Sequence, residues 1–170
     1  MDCMLSVIAP CRNEEKYIEG FIENMLSQDF PQAQLEIFII DGKSSDNTQD
    51  IIRRYCTIYP FIQLIVNEEQ TVPHALNIGI SKARGEYIIR TDCHAVYPPN
   101  YLSELVKNLD LLRSDNVGGV WETTPAKQTL LCRAIAVVTS NKFGVGNSYH
   151  KVGVSEVAKV DTVPYGCFRK

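Results

Sequence analysis

The chain has 170 residues, of which 45% are hydrophobic, and its 20 aspartate and glutamate residues slightly outnumber 17 lysine and arginine residues. This length and apolar content predict a single domain with one continuous core. The formal net charge of −3, spread without a basic block, excludes the electrostatic footprint of a nucleic-acid-binding protein. The six cysteines include no Cys-x-x-Cys pair, which favours reduced thiols over a zinc or redox site. No apolar run approaches the roughly 20 residues that cross a bilayer, so we expect a cytoplasmic chain.

Short apolar runs alternate with amphipathic segments over most of the chain. Strand-like runs occupy residues 5–10, 35–40, 62–66 and 86–91. Helix-like spacing of apolar residues occupies 14–26, 48–59, 72–83 and 101–112. In the first of these helices, Asn13 is the expected N-cap and Tyr17 an inward-facing residue. Repeated strand–helix units of this kind predict a doubly wound parallel sheet with right-handed crossovers.

The last third of the chain has a less regular pattern. The sequence here predicts a strand over 117–121, a helix over 128–139, a glycine-containing polar loop over 141–153 and a late edge strand over 157–163. No internal repeat or low-complexity tract accompanies these segments.

Polar residues follow the ends of the predicted strands, where open α/β sheets bind their ligands. These segments supply Arg12 and Asn13, then Asp41, Ser44 and Asp46, then Asn67 and Glu68, and finally Asp92 and His94. A turn followed by a capped helix accounts for residues 44–48, with Asp46 as the cap. It accounts less well for Asp41, because a carboxylate at the end of a buried strand must find donors or face a ligand.

The tripeptide Asp92-Cys93-His94 directly follows a predicted strand. Alternate residues of an extended segment point to the same side, so a carboxylate and an imidazole would converge. Carboxylates suit magnesium or manganese and imidazole suits softer ions, and the mixed pair therefore favours Mn²⁺ without excluding Mg²⁺. A cation held there would neutralise a diphosphate leaving group. Taken alone the tripeptide is a weak signal, since a lone loop histidine is more often a surface residue.

Four motifs in order over residues 5–99 resemble the family 2 glycosyltransferases, inverting enzymes with the GT-A fold. Residues 5–15 look like the opening strand and its P-x-x-N-E-E turn, and 36–48 look like the E-I-x-V-V-D-G-x-S-x-D-x-T block. Residues 75–80 and 83–88 look like A-L-N-x-G-I and A-x-G-E-Y-I. The segments 90–98 and 161–169 are most similar to the succinoglycan branch, which builds bacterial exopolysaccharide.

The resemblance implies a Rossmann-like GT-A domain with a mostly parallel sheet, in which residues 1–99 bind the nucleotide sugar and 100–170 begin an incomplete acceptor half. It implies metal-dependent, inverting transfer from a UDP-sugar to a glycan or lipid-linked acceptor, at the inner face of the membrane in a longer parent. Asp41 would contact the nucleoside, Asp92 the ribose or metal-bound diphosphate, and His94 the metal. The full donor-binding set implied is Pro10, Arg12, Asn13, Glu14, Asp41, Ser44, Asn77 and Asp92.

Two departures from the family pattern accompany this resemblance. Gly42 stands where many members carry a second aspartate that contacts the base, which leaves the choice of base open. The family's catalytic base is an aspartate beyond the G-x-F-R segment, so the expected base lies beyond Lys170. We therefore expect donor binding with little or no sugar transfer.

Two other functions remain open at this stage. A nucleotidyltransferase also combines such a sheet with metal-binding carboxylates, but it normally carries a glycine-rich basic loop after its first strand. Here that position has Pro10-Cys11-Arg12-Asn13, which argues against it. A non-catalytic domain that binds a sugar nucleotide is the third possibility, because fold does not fix function.

Overall fold

The computed structural model describes residues 4–125, 127–146, 148–154 and 156–170. The chain divides into two compact units, one of Met1–Val117 with Tyr165–Lys170 and the other of Gly118–Pro164. The predicted functional division after residue 99 is of another kind and stays a prediction. All of the predicted site residues belong to the first unit.

The first unit contains a six-stranded sheet of order β3-β2-β1-β4-β6-β5. Its strands are β1 (Leu5–Cys11), β2 (Leu35–Asp41), β3 (Ile62–Val66), β4 (Tyr87–Arg90), β5 (Asn116–Val117) and β6 (Cys167–Arg169). Strands β1 to β4 are parallel, whereas β6 runs antiparallel to both β4 and β5. The prediction of a mostly parallel sheet is confirmed.

Helices cover both faces of this sheet. They are α1 (Ile18–Leu26), α2 (Thr48–Ile58), α3 (Val72–Lys82) and α4 (Tyr101–Leu112). On one face, alternate residues of β1 such as Val7 and Ala9 pack with α1, α2 and α4. On the other face, Ile8 and its neighbours pack with α3. Strands buried on both sides explain why β1 and β2 are nearly continuous apolar runs.

Helix α3 lies very close to the sheet because Gly79 faces it. A Cβ atom added at Gly79 would stand 2.5 Å from Cγ2 of Ile8 and 3.0 Å from Cδ1 of Ile40. Only glycine fits this position without displacing a strand side chain.

Two strand predictions are wrong. The strand predicted over 117–121 is only Asn116–Val117. No strand is described within 157–163, where Val157 is 74% exposed; the late strand is instead Cys167–Arg169. The apolar residues of 157–163 therefore did not mark a buried strand. Gly166 permits the actual pairing, because a Cβ there would overlap Oδ1 of the Asn116 side chain.

The start of helix α1 also differs from the prediction. The helix begins at Ile18, after a turn in which the Tyr17 amide donates to the Glu14 carbonyl over 2.8 Å. Asn13 does not cap it, because Asn13 has φ 55° and its side chain is engaged elsewhere. Tyr17 is 55% exposed, so it does not face the core.

The second unit contains three helices among its described residues. They are α5 (Leu130–Thr139), α6 (Lys142–Val145) and α7 (Tyr149–Val152), so the predicted polar loop over 141–153 includes two short helices. The Thr129 hydroxyl caps α5 by accepting the Cys132 amide over 3.2 Å. Along the described ranges of the whole chain, every helix is too short or too polar to span a bilayer.

Candidate functional site

The loops after β1 and β2 are joined by hydrogen bonds at the carboxyl edge of the sheet. The Asn13 amide donates to the Ser44 hydroxyl over 2.7 Å, and the Ser45 amide donates to Oδ1 of Asn13 over 2.9 Å. The Glu14 amide donates to the Thr48 hydroxyl over 2.8 Å. The left-handed backbone of Asn13, which asparagine tolerates well, turns the chain into this network. Asn13 and Ser44 thus lie together, and their predicted role in donor binding stays a prediction.

Asp41 ends β2 beside Cys11 of β1 and is fully buried. Its carboxylate accepts hydrogen bonds from the Ser44 amide at 2.9 Å and from Nε2 of Gln49 at 2.9 Å. A buried carboxylate at this strand end therefore finds its donors within the protein and holds the turn that follows. Its predicted contact with the nucleoside stays a prediction, since the carboxylate has no exposed surface here.

The N-cap of α2 is Asn47, so Asp46, which was predicted as the cap, lies one residue before it and binds the turn with its side chain. Its Oδ1 accepts the Thr48 amide at 3.0 Å, and its Oδ2 accepts the Glu15 amide at 3.2 Å. Desolvation raises the pKa of Asp46, but the hydrogen bonds from Thr48 and Glu15 outweigh it and leave the pKa lowered. This carboxylate is committed to the fold and not to a ligand.

Asp92 lies at the carboxyl end of β4 beside β1. The Thr91 amide donates to the Ile8 carbonyl over 3.0 Å, and Sγ of Cys93 contacts the Pro10 carbonyl at 3.7 Å. Residues 91–93 therefore lie beside the end of β1. On the other side of β1 lies β2, which ends in Asp41. The predicted residues after β1, β2 and β4 are therefore gathered at one edge.

The backbone of Asp92 is held by a buried tyrosine. The Tyr97 hydroxyl accepts the Asp92 amide at 2.8 Å and lies 3.3 Å from the Asp92 carbonyl, to which it donates. The Tyr97 ring is 5% exposed and packs against Phe21 and Tyr101. Burial raises the pKa of Tyr97 strongly, so this hydroxyl stays protonated. It fixes the position from which the Asp92 carboxylate projects.

The carboxylate of Asp92 is 17% exposed and has a positively charged neighbour. Nη2 of Arg90 lies 3.2 Å from its Oδ1. Tyr165 also interacts with Asp92: burial, together with a side-chain hydrogen bond to Asp92, raises the pKa of Tyr165 to about 12. Sequence reasoning missed Arg90, Tyr97 and Tyr165, because nothing in their spacing distinguishes them from other strand and loop residues.

His94 has different partners from Asp92. Its Nδ1 lies 3.2 Å from Oε1 of Glu14, its ring meets the edge of Tyr17, and its side chain is 58% exposed. Within the described ranges, no group of three or more histidine, cysteine, aspartate or glutamate side chains is arranged to hold a metal. The structure places Asp92 and His94 in the same short segment, and their shared cation stays a prediction.

The chemistry of the side chains nevertheless fits a divalent ion that arrives with its ligand. Mg²⁺ sites of this kind use one or two protein carboxylates and take further oxygens from substrate phosphates. Asp92 would supply such an oxygen, and His94 would supply the nitrogen that a softer first-row ion accepts.

The remaining predicted donor residues differ in placement. Arg12 is exposed beside Gly42, where an added Cβ would lie 3.6 Å from Cβ of Arg12. Asn77 is exposed on α3. It lies about 200° around the helix from Ala75, which faces the sheet. Its role in donor binding therefore has no support from contacts and stays a prediction.

A mixed sheet with helices on both faces, and with acidic and polar loops at the carboxyl ends of β1, β2 and β4, matches the GT-A glycosyltransferase architecture. Residues 6–155 match the sequence profile of glycosyl transferase family 2. The chain belongs to this family, as its motifs indicated.

Two curated relatives illustrate the similarity. One is a dolichyl N-acetyl-alpha-D-glucosaminyl phosphate 3-beta-D-2,3-diacetamido-2,3-dideoxy-beta-D-glucuronosyltransferase of Methanococcus voltae, 31% identical over 96% of this chain and 52% of its own length. The other is the succinoglycan biosynthesis protein ExoA of Rhizobium meliloti, 30% identical over 86% of this chain and 44% of its own length. The chain thus spans about half the length of these relatives.

Two solved structures share the fold. The mannosyltransferase PcManGT of Pyrobaculum calidifontis, solved with GDP-Man and Mn²⁺, is 31% identical with a TM-score of 0.65, over 71% of this chain and 36% of its own. TarS 1-349 of S. aureus is 23% identical with a TM-score of 0.66, over 74% of this chain and 38% of its own. The latter likeness concerns the fold alone.

Proposed function

We propose that this chain is the donor-binding part of a metal-dependent, inverting glycosyltransferase. The observation that carries the proposal is the position of Asp92: a partly exposed carboxylate at the carboxyl end of β4, with its backbone fixed by Tyr97. It stands beside the joined loops that follow β1 and β2, at the edge where parallel sheets bind nucleotides. The PcManGT complex with GDP-Man and Mn²⁺ supports a nucleotide sugar and a divalent ion as ligands.

In this proposal, Asp92 and His94 hold Mn²⁺ or Mg²⁺, with Glu14 orienting His94 through their 3.2 Å contact. The bound ion would neutralise the charge that develops on the leaving diphosphate. Asp92 supplies the negative charge that attracts the ion. The Tyr97 hydroxyl accepts the Asp92 amide and so fixes the position of the Asp92 backbone. A partly exposed carboxylate can exchange its protein partners for a cation without first unfolding its loop.

The loops after β1 and β2 form the nucleoside side of the proposed site. Asn13 and Ser44 are hydrogen-bonded to each other, so the binding surface is rigid before the donor arrives. Exposed Arg12 stands next to it and is suited to pair with a phosphate. A UDP-sugar is the expected donor, and the acceptor is a hydroxyl of a glycan or lipid-linked saccharide, as in exopolysaccharide or cell-envelope synthesis.

The proposal is tested by calorimetric titration of UDP-glucose, UDP-GlcNAc and GDP-mannose, each with and without Mn²⁺. We expect metal-dependent binding of at least one donor, and a loss of at least tenfold in affinity in Asp92→Asn. The matched control is Asp50→Asn, which changes a largely exposed aspartate on α2 and should bind like wild type. The same affinity in Asp92→Asn and wild type, or no donor binding in wild type with Mn²⁺, would refute the proposal.

A further inference from the structure

The carboxylate of Asp92 already has a cation beside it, supplied by the chain itself. Arg90 and Asp92 are two residues apart at the end of β4, so their side chains project to the same side. Nη2 of Arg90 lies 3.2 Å from Oδ1 of Asp92, and the two side chains are 36% and 17% exposed. The proposed metal ligand is therefore partly neutralised before any metal binds.

Tyr165 packs against the guanidinium of this pair. The guanidinium carbon of Arg90 lies 5.1 Å from the centroid of the Tyr165 ring, within the range of a cation–π contact. Tyr165 is itself anchored, because its carbonyl accepts the Tyr101 hydroxyl at 2.9 Å. The next residue, Gly166, accepts the Arg90 amide through its carbonyl at 3.3 Å. Residues from the late β6 region thus determine where the Arg90 charge lies.

We propose that Arg90 is a positioning residue that acts as the internal counter-ion of Asp92, occupying its carboxylate until a divalent cation and the donor diphosphate replace it. This inference rests on the proposed function. When a cation takes the carboxylate, the released guanidinium remains beside the site, where a diphosphate carries negative charge. Arg90 therefore competes with the metal when no donor is present and attracts the donor when no metal is present.

These two effects have opposite signs, which separates them from a merely structural role. Loss of the Arg90 charge is expected to tighten binding of Mn²⁺ alone by about two- to fivefold, the range that a partly exposed ion pair supplies. The same change is expected to weaken binding of UDP alone by a similar factor. A variant that only loosened the loop would weaken both.

The experiment measures free Mn²⁺ by electron paramagnetic resonance, without nucleotide, and UDP binding by calorimetry, without metal. The variants are Arg90→Gln and Arg90→Met, the second of which retains an apolar stem to pack on Tyr165 if the first fails to fold. Arg90→Lys keeps the charge but loses the guanidinium that lies over the Tyr165 ring, so it should change Mn²⁺ and UDP binding less than either neutral variant does. The control is Arg53→Gln, which removes a similarly paired but exposed arginine from α2.

Tighter Mn²⁺ binding with weaker UDP binding in the neutral variants supports the inference. Unchanged or weaker Mn²⁺ binding in folded Arg90→Gln or Arg90→Met overturns it, while the proposed function stands as long as wild type binds the donor with Mn²⁺ and Asp92→Asn does not. If wild type binds no donor with Mn²⁺, the proposed function fails first. The two failures are therefore distinguishable in one set of titrations.

Discussion

Replacing Glu36 by glutamine should destabilise the fold although it removes no side-chain volume. Glu36 is 1% exposed, in β2, and its Oε1 accepts the Ser6 hydroxyl and the Arg84 amide, each at 2.6 Å. Its Oε2 accepts Nε of Arg84 at 2.9 Å. The Ser6 hydroxyl in turn accepts the Gly85 amide at 2.9 Å. One carboxylate thus connects β1, β2 and the turn before β4.

The expected loss of stability depends on which hydrogen bonds a glutamine amide can keep at position 36. The glutamine oxygen can keep the Ser6 and Arg84 amide contacts, but each becomes a neutral hydrogen bond that is weaker by about 1 kcal/mol. The amide nitrogen would face Nε of Arg84, whose side chain is 72% exposed and can turn into water at little cost. We expect a loss of about 2 kcal/mol in the free energy of unfolding, or roughly 4–8 °C in Tm for a chain of this size.

Urea unfolding followed by circular dichroism measures this loss at pH 7. Glu86→Gln is the matched control, because Glu86 is exposed and paired only at the surface with Arg169, and it should change stability by less than about 0.5 kcal/mol. Equal stability of Glu36→Gln and Glu86→Gln would refute the reasoning.

The pH dependence gives a second check on the same residue. Burial raises the pKa of Glu36, but the hydrogen bonds from Ser6 and Arg84 outweigh it, and the pKa is lowered from 4.5. A lowered pKa means that the carboxylate stabilises the folded state fully above pH 4.5. The difference between wild type and Glu36→Gln should therefore shrink as the pH falls below that value. A difference that grows under acid would contradict the assignment.

Two further predictions concern backbone and site geometry. Gly85→Ala places a Cβ 2.8 Å from the Ser6 amide nitrogen and should cost about 2 kcal/mol, whereas Gly20→Ala in α1 meets nothing within 4 Å and should stabilise by about 0.5–1 kcal/mol; urea unfolding compares them. Tyr97→Phe removes the hydroxyl that binds the Asp92 backbone and should weaken metal-dependent donor binding severalfold, measured by calorimetry, whereas equal binding would remove Tyr97 from the site.

The sequence predicted the strands and helices of the first unit closely because their signals are local. β3 and α4 have the predicted bounds, and β1, β2, α2 and α3 differ from them by one residue at one end. Both faces of β1 and β2 are covered by helices, and this burial produces the apolar runs that mark them. The start of α1 was predicted wrongly because the Asn13 side chain accepts a hydrogen bond from the amide of Ser45, 32 positions away, and does not cap the helix. Tertiary hydrogen bonding overrode the local capping preference there.

The prediction of the late strand was wrong for a similar reason. β6 has three residues, and its place depends on antiparallel pairing with β4 and β5 and on the absence of a side chain at Gly166. Such a short strand has too few residues for alternation to be visible. Residues 157–163 show an apolar pattern but no described strand.

The candidate site was predicted as a set of residues and not as a set of contacts. Spacing placed Asp92 at a strand end, and family motifs placed Asn13 and Ser44 in the same region; their 2.7 Å contact agrees. Spacing could not show that Asp41 is satisfied by Ser44 and Gln49 and fully buried. That outcome shifts the expected ligand chemistry from Asp41 toward Asp92.

Burial also gives a reason to expect different roles for Asp41 and Asp92, which lie at the ends of the two strands that flank β1. Asp41 is enclosed and holds three hydrogen bonds, so exchanging them for a ligand would cost the stability of its turn. Asp92 is partly exposed, and its carboxylate is paired with the Arg90 side chain, which is 36% exposed. The proposed function requires Asp92 to exchange this partner for a metal ion. We therefore expect buried Asp41 to support its turn and partly exposed Asp92 to bind the ligand.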